Sequence, residues 1–194
     1  MAKGVRLFAV RVLSCSGSGS TSGVIAGVDW VTANHIDPAV ANMTLGGGVS
    51  TALDTAVRNS IGAGVTYSIA AGNSSTNASN SSPARVAEAI TVGATTRTDV
   101  RSSFSNFGSV VDIFAPGSSI QSAWITSDTA SATRSGTSMA APHVAGVAAR
   151  FKQSNPSASP ATVRNEIGNQ ATLNVLNGIP AGTANRLLFW SSSR

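Results

Sequence analysis

One cysteine, one tyrosine and two histidines are all that 194 residues hold of those types, aromatic residues make up 5% and charged residues 11%. Each scarcity excludes something. The lone Cys15 cannot close a disulfide within the chain, so this is no small cross-linked scaffold. No stretch approaches the roughly eighteen consecutive apolar residues of a membrane span. Met1-Ala2-Lys3-Gly4 lacks the apolar run of a signal peptide, which for the chain as it stands points to the cytoplasm. The formal charge is +5, but the arginines are scattered (Arg11, Arg58, Arg85, Arg101, Arg134, Arg164, Arg186). They form neither a basic stripe nor a known reader motif, so a nucleic-acid partner is not expected.

Plentiful instead are Ala, Gly, Ser and Thr. The 42% apolar content suffices for a core, and the length suits one domain spanning 1–194. Val5–Leu13 reads as a strand of β-branched and large apolar residues. After a Ser/Gly loop (14–22), Gly23–Asn34 carries helical spacing at Val24, Val28 and Val31, and Asp37-Pro38 bars its continuation. Ala39–Leu45 is a short strand stopped by Gly46-Gly47-Gly48. Thr51–Ile61 is helical, Val65–Ala71 a strand ending at Gly72-Asn73, and 74–82 a polar surface loop. Strands follow at Ala89–Ala94 and Val110–Phe114, a helix at Ala161–Asn169 behind Ser159-Pro160, and a last strand at Arg186–Trp190. Near-continuous apolar strands alternating with helices predict an α/β fold in three layers, a mostly parallel sheet with helices on both faces. Ligands of such folds bind at the carboxyl ends of the strands.

The segment Gly136-Thr137-Ser138-Met139-Ala140-Ala141-Pro142-His143-Val144-Ala145-Gly146 places one hydroxyl, that of Ser138, at the mouth of a helix built from small apolar residues. A helix apolar all round is expected inside the protein. Its N-terminus offers unpaired N–H groups and the positive end of the helix dipole, a setting suited to a developing oxyanion. His143 does not serve Ser138 as a base. Five residues further along one helix, it points about 140° away and lies roughly 7.5 Å along the axis. It reads as a buried structural histidine, and His35, after a helix C-terminus, as a surface one.

The same segment resembles the nucleophile segment of subtilisin-family serine peptidases, proteinase K and aqualysin branch. Val10-Arg11-Val12-Leu13, Ala41-Asn42-Met43-Thr44-Leu45-Gly46-Gly47, Ala70-Ala71-Gly72-Asn73, Ser103-Phe104-Ser105-Asn106 and Ala115-Pro116-Gly117 extend the likeness. The resemblance implies a serine hydrolase with Ser138 as nucleophile and Asn73, with the Ser138 N–H, as oxyanion donors. It implies that Leu45, Gly46 and Gly47 offer backbone edges to an extended peptide, and that Ala70, Ala71 and Gly72 wall an apolar side-chain pocket beside Thr137. No cofactor is required for the chemistry, while Asp112 with the carbonyls of Ala87 and Ala89 matches a structural calcium site.

Two departures matter. Sites of this type run in chain order Asp, His, Ser. In the family the Asp and His segments precede the strand matched by Val5–Leu13, and neither occurs in these residues. The chain therefore resembles a partial catalytic domain, expected to act weakly and to favour small esters. The alternative is a fragment that binds peptides or assembles without catalysis. The family is normally secreted behind a signal. Cys15 would pair upstream in relatives, so here it is a buried thiol or the stranded half of a bridge; a second family pair falls at Ser79 and Val110. The strand that would carry the Asp lies between those matched by Val5–Leu13 and Ala39–Leu45. Its absence is expected to leave a gap, closed by the first strand moving, by a complementing chain, or by edge pairing in a homo-oligomer.

Overall fold

Ser20 opens the first helix, its hydroxyl accepting the amide of Gly23, so α1 (Thr21–Asn34) starts two residues ahead of the expected Gly23. The computed structural model describes residues 2–191. Helix α2 (Thr51–Gly62) is capped in the same way by Ser50. The others are α3 (Thr137–Ser154) and α4 (Pro160–Gln170), the latter with Ser159 at its N-cap and proline in its first turn. In chain order the strands are β1 (Val40–Met43), β2 (Thr66–Ala70), β3 (Ile90–Thr95) and β4 (Ile113–Pro116), then β5 (Ile120–Ala123), β6 (Ser131–Arg134), β7 (Thr172–Leu173) and β8 (Arg186–Leu187).

One six-stranded sheet has the order β1-β2-β3-β4-β8-β7, parallel throughout except where β7 meets β8. Every residue of β2 and β3 is buried, as strands covered on both faces must be. One face carries α1 and α2, whose Val24, Val28, Leu53, Val57 and Ile61 join Tyr67, Ile69 and Phe114 in a single cluster. The other carries α3 and α4, packing Ala140, Val144, Val147, Val163 and Ile167 against Ile90, Val92 and Ile113. These are the three expected layers. Helix α3 turns only one side inward: Thr137, Ala140, Ala141, Val144, Val147 and Ala148 are buried, while Pro142 is exposed. The expectation of a helix enclosed all round is therefore corrected to one with a half-open face.

The first strand is also corrected. Residues 5–13 form no strand, and Leu7 and Phe8 are 89% and 68% exposed. A strand needs a partner's N–H and C=O groups, and the ladder begins at β1, whose outer edge has none among the described residues. Val12 is held instead against α1, so closely that a Cβ on Gly27 would overlap it. The segment therefore does not cross over to close the gap. Cys15, on the turn after it, is exposed, and its Sγ accepts a hydrogen bond from Arg11; the buried-thiol reading falls.

Three smaller differences have local causes. The strand expected at Val110–Phe114 begins at Ile113, because Val110 and Val111 are taken up in a turn closed by Val111 N–H on the Gly108 carbonyl. The last strand ends at Leu187 rather than Trp190. The β5–β6 hairpin lies outside the predicted strands, since its residues are mostly solvent-facing and lack alternation. It is held by its own contacts, Arg134 over the Trp124 ring at 4.7 Å and Gln121 on Ser131, and it delivers the chain to Gly136.

Candidate active site

Two parallel strand ends and one helix start meet at the carboxyl edge of the sheet. The chain leaves β1 as Thr44-Leu45-Gly46-Gly47 and β2 as Ala71-Gly72-Asn73, and α3 begins between them. They surround a cleft of about 370 Å³ lined by Leu45, Gly46, Gly47, Ala70, Ala71, Gly72, Asn73, Thr137 and Ser138. Thus all nine residues expected to bind or react share one space.

Thr137 organises it. Fully buried, its hydroxyl donates to Asn73 Oδ1 at 2.8 Å and accepts the Gly72 N–H at 3.1 Å, while its own N–H donates to the same Oδ1 at 2.8 Å. With its oxygen fixed, the Asn73 amide is locked in orientation, and its Nδ2 has no partner among the described residues. A Cβ placed on Gly136 would stand 3.5 Å from Asn73 Nδ2 and 3.7 Å from the Ser138 amide nitrogen. Two N–H donors therefore flank one small space at the positive end of α3. Glycine at 136 keeps that space open.

The strand-end turn is equally constrained. Gly72 has φ +103°, and a Cβ there would run into the Asn106 side chain. Buried Asn106 donates to the Ala71 carbonyl and accepts from the amides of Ser74 and Thr76, while its own N–H donates to the Gly72 carbonyl. Asn106 closes the Ser103–Asn106 motif, to which the resemblance assigns no role. Its signal appears only in three dimensions, as a buried amide whose partners are the loop carrying Asn73.

Ser138 Oγ donates to the Thr44 carbonyl at 3.1 Å. Neither histidine is hydrogen-bonded to it: His143, half-buried rather than buried, bonds the Met139 carbonyl one helical turn back through Nδ1, and the His35 ring bonds the carbonyls closing α1. His35 is less exposed than a surface role implied, at 14%, with Nε2 3.8 Å from Asp37. The peptide edge is narrower than expected as well. Gly47 exchanges both backbone hydrogen bonds with Ser82, so its N–H and C=O are taken, whereas those of Gly46 have no partner among the described residues.

A model of the subtilase family matches residues 1–186. The chain belongs to the subtilase family. It is 60% identical over 189 residues to an extracellular serine proteinase of Thermus sp. (strain Rt41A), covering 97% of this chain and 46% of that protein. To the alkaline serine exoprotease A of Vibrio alginolyticus it is 59% identical over 189 residues, covering 97% and 35%. This subtilase chain thus spans less than half the length of both. The crystal structure of a cold adapted subtilisin-like serine proteinase superposes with a TM-score of 0.89 at 57% identity, over 92% of this chain and 64% of the other. The three-layer sheet described above is the subtilisin-like fold.

The residues matched to a calcium site lie elsewhere, between β3, β4 and α4. There the Asp112 carboxylate accepts the Thr91 N–H at 2.8 Å and is paired with the Arg164 guanidinium, whose Nε also donates to the Ala89 carbonyl. Burial pushes the Asp112 carboxyl above its ordinary value, while Arg164, the Thr91 N–H and Arg186 pull it down. Two of the three expected cation ligands, Asp112 and Ala89, are bonded to an arginine; the third, Ala87, lies on the same loop. No group of three or more His, Cys, Asp or Glu side chains suited to a metal occurs among the described residues. With Arg164 in place, Asp112 and Ala89 are not free to hold calcium.

Proposed function

We propose that this chain is a serine hydrolase whose reaction centre is Ser138 and Asn73, working weakly and on activated esters in preference to peptide bonds. The observation that carries the reading is the pair of fixed N–H donors, Asn73 Nδ2 and Ser138 N, around one space beside the Ser138 hydroxyl. A substrate carbonyl there gains stabilisation as it becomes an oxyanion. Attack by Oγ forms the acyl-enzyme as the leaving group departs, and water then releases the acid. The hydroxyl proton goes to solvent, because the serine has no imidazole partner among the described residues. Peptide bonds need a protonated leaving amine and so suffer most, whereas a nitrophenolate departs unaided. Residual catalysis of about 10³–10⁴ over water is what oxyanion stabilisation and binding alone sustain in such sites. Gly46 would pair with an extended substrate, and Ala70-Ala71-Gly72 would wall its side-chain pocket. No metal or cofactor is required for these steps.

The test pairs two substrates with one acyl group, a p-nitrophenyl ester and the corresponding p-nitroanilide. Ester turnover above buffer with no detectable anilide turnover is expected; equal background for both ends the hydrolase reading. Two observations favour the second reading, a chain that binds extended peptides or assembles through its edges. The Ser138 proton is engaged by the Thr44 carbonyl, and the outer edge of β1 has no partner strand among the described residues. A complementing chain docked along that edge would be placed to bring a base to Ser138.

A further inference from the structure

We propose that the Arg164 guanidinium takes the position of the cation at the Asp112–Ala89 centre, so that this chain ties α4 to the β3 and β4 segments without calcium. The oxygens are those a cation would use. Arg164 reaches from α4 to a carboxylate at the entry to β4 and to the carbonyl just before β3. A guanidinium suits this geometry, because its planar fork directs separate N–H groups at two acceptors at once.

Charge decides between the ion and the side chain. The centre holds one carboxylate, and Arg186 lines the same cavity of about 100 Å³ as Arg164. One negative charge thus faces two positive ones, and Asp112 is only 16% exposed. Calcium would add two more positive charges to this shielded space, where screening by water is weak. It would also need six to eight oxygens, whereas both Asp112 oxygens already accept N–H groups. The centre is complete with Arg164 in place.

Melting temperatures of the wild type and Asp112→Asn are measured in EDTA and in calcium. A ligand that binds only the folded protein raises Tm by about 5–10 °C when present on the order of a hundredfold above its Kd. Here the calcium shift should be identical in wild type and Asp112→Asn, whatever calcium does elsewhere on the chain. A larger shift in the wild type overturns the proposal. Arg164→Ala supplies the converse arm. It should melt lower in EDTA and gain a calcium shift that the double variant with Asp112→Asn lacks. A folded Arg164→Ala protein indifferent to calcium overturns it too, because the arginine would then occupy no cation position. If Arg164→Ala does not fold, the first comparison decides alone.

Discussion

Replacing Asn73 by Leu is expected to lower turnover of a p-nitrophenyl ester by about 10²–10³-fold, the cost of losing one oxyanion donor in subtilisin itself. The expectation rests on how the side chain is held. Both hydrogen bonds to its Oδ1 come from Thr137, at 2.8 Å each, which leaves Nδ2 as the only group presented to the cleft. Leucine removes donor and anchor together, so Asn73→Asp is the sharper variant. It keeps an acceptor for Thr137 but presents a negative charge where the oxyanion forms. Its rate should fall at least as far as that of Asn73→Leu, with less loss of stability. An Asn73→Asp protein as active as wild type would remove Asn73 from the chemistry. Binding should change little in either variant, because the donor acts mainly on charge that develops in the transition state; the loss therefore belongs in kcat rather than KM.

Gly72→Ala is expected to cost about 3 kcal/mol of stability, measured by urea unfolding. Backbone strain at its positive φ contributes on the order of 1–3 kcal/mol for a residue with a Cβ. The remainder comes from Asn106, which the new methyl displaces. Each buried partner left without a hydrogen bond costs about 1–3 kcal/mol, and Asn106 serves Ala71, Ser74 and Thr76. A folded Gly72→Ala protein should also lose ester turnover, since Gly72 N–H is bonded to the Thr137 hydroxyl that fixes Asn73. A near-neutral substitution would mean that this network does not hold the oxyanion donor in place.

The parts of the fold legible in the sequence were those whose residues alone determine them. Near-continuous apolar runs at Val65–Ala71 and Ala89–Ala94 read as strands covered on both faces, and the strands Thr66–Ala70 and Ile90–Thr95 are buried throughout. Ser159 announces its helix through a cap that needs no distant partner. Val5–Leu13 has equally good strand composition and forms none, because pairing depends on a neighbour that no local pattern reveals. The β5–β6 hairpin failed in the opposite direction, its contacts lying across strands rather than along them.

The site divides in the same way. The residues that the resemblance assigns to binding or reaction converge on one cleft, because the backbone path through Leu45–Gly47 and Ala70–Asn73 is set by the parallel sheet. What escaped the sequence were competing partners. Ser82 takes the backbone groups of Gly47, and Arg164 takes Asp112 and Ala89; they lie 35 and 52 to 75 residues away in the chain. Such substitutions are invisible to a motif, which records the acceptor and not the donor that reaches it.

The most direct measurement is the mass of the protein after treatment with a fluorophosphonate, followed by tryptic mapping. The reagent mimics the tetrahedral intermediate and needs both a nucleophilic serine and a donor pair for its oxygen. One adduct is predicted, on the peptide Ser135–Arg150 that contains Ser138, absent from Ser138→Ala and much slower to form in Asn73→Asp. An unmodified wild-type protein, or one labelled equally in Ser138→Ala, would contradict a reaction centre at the mouth of α3.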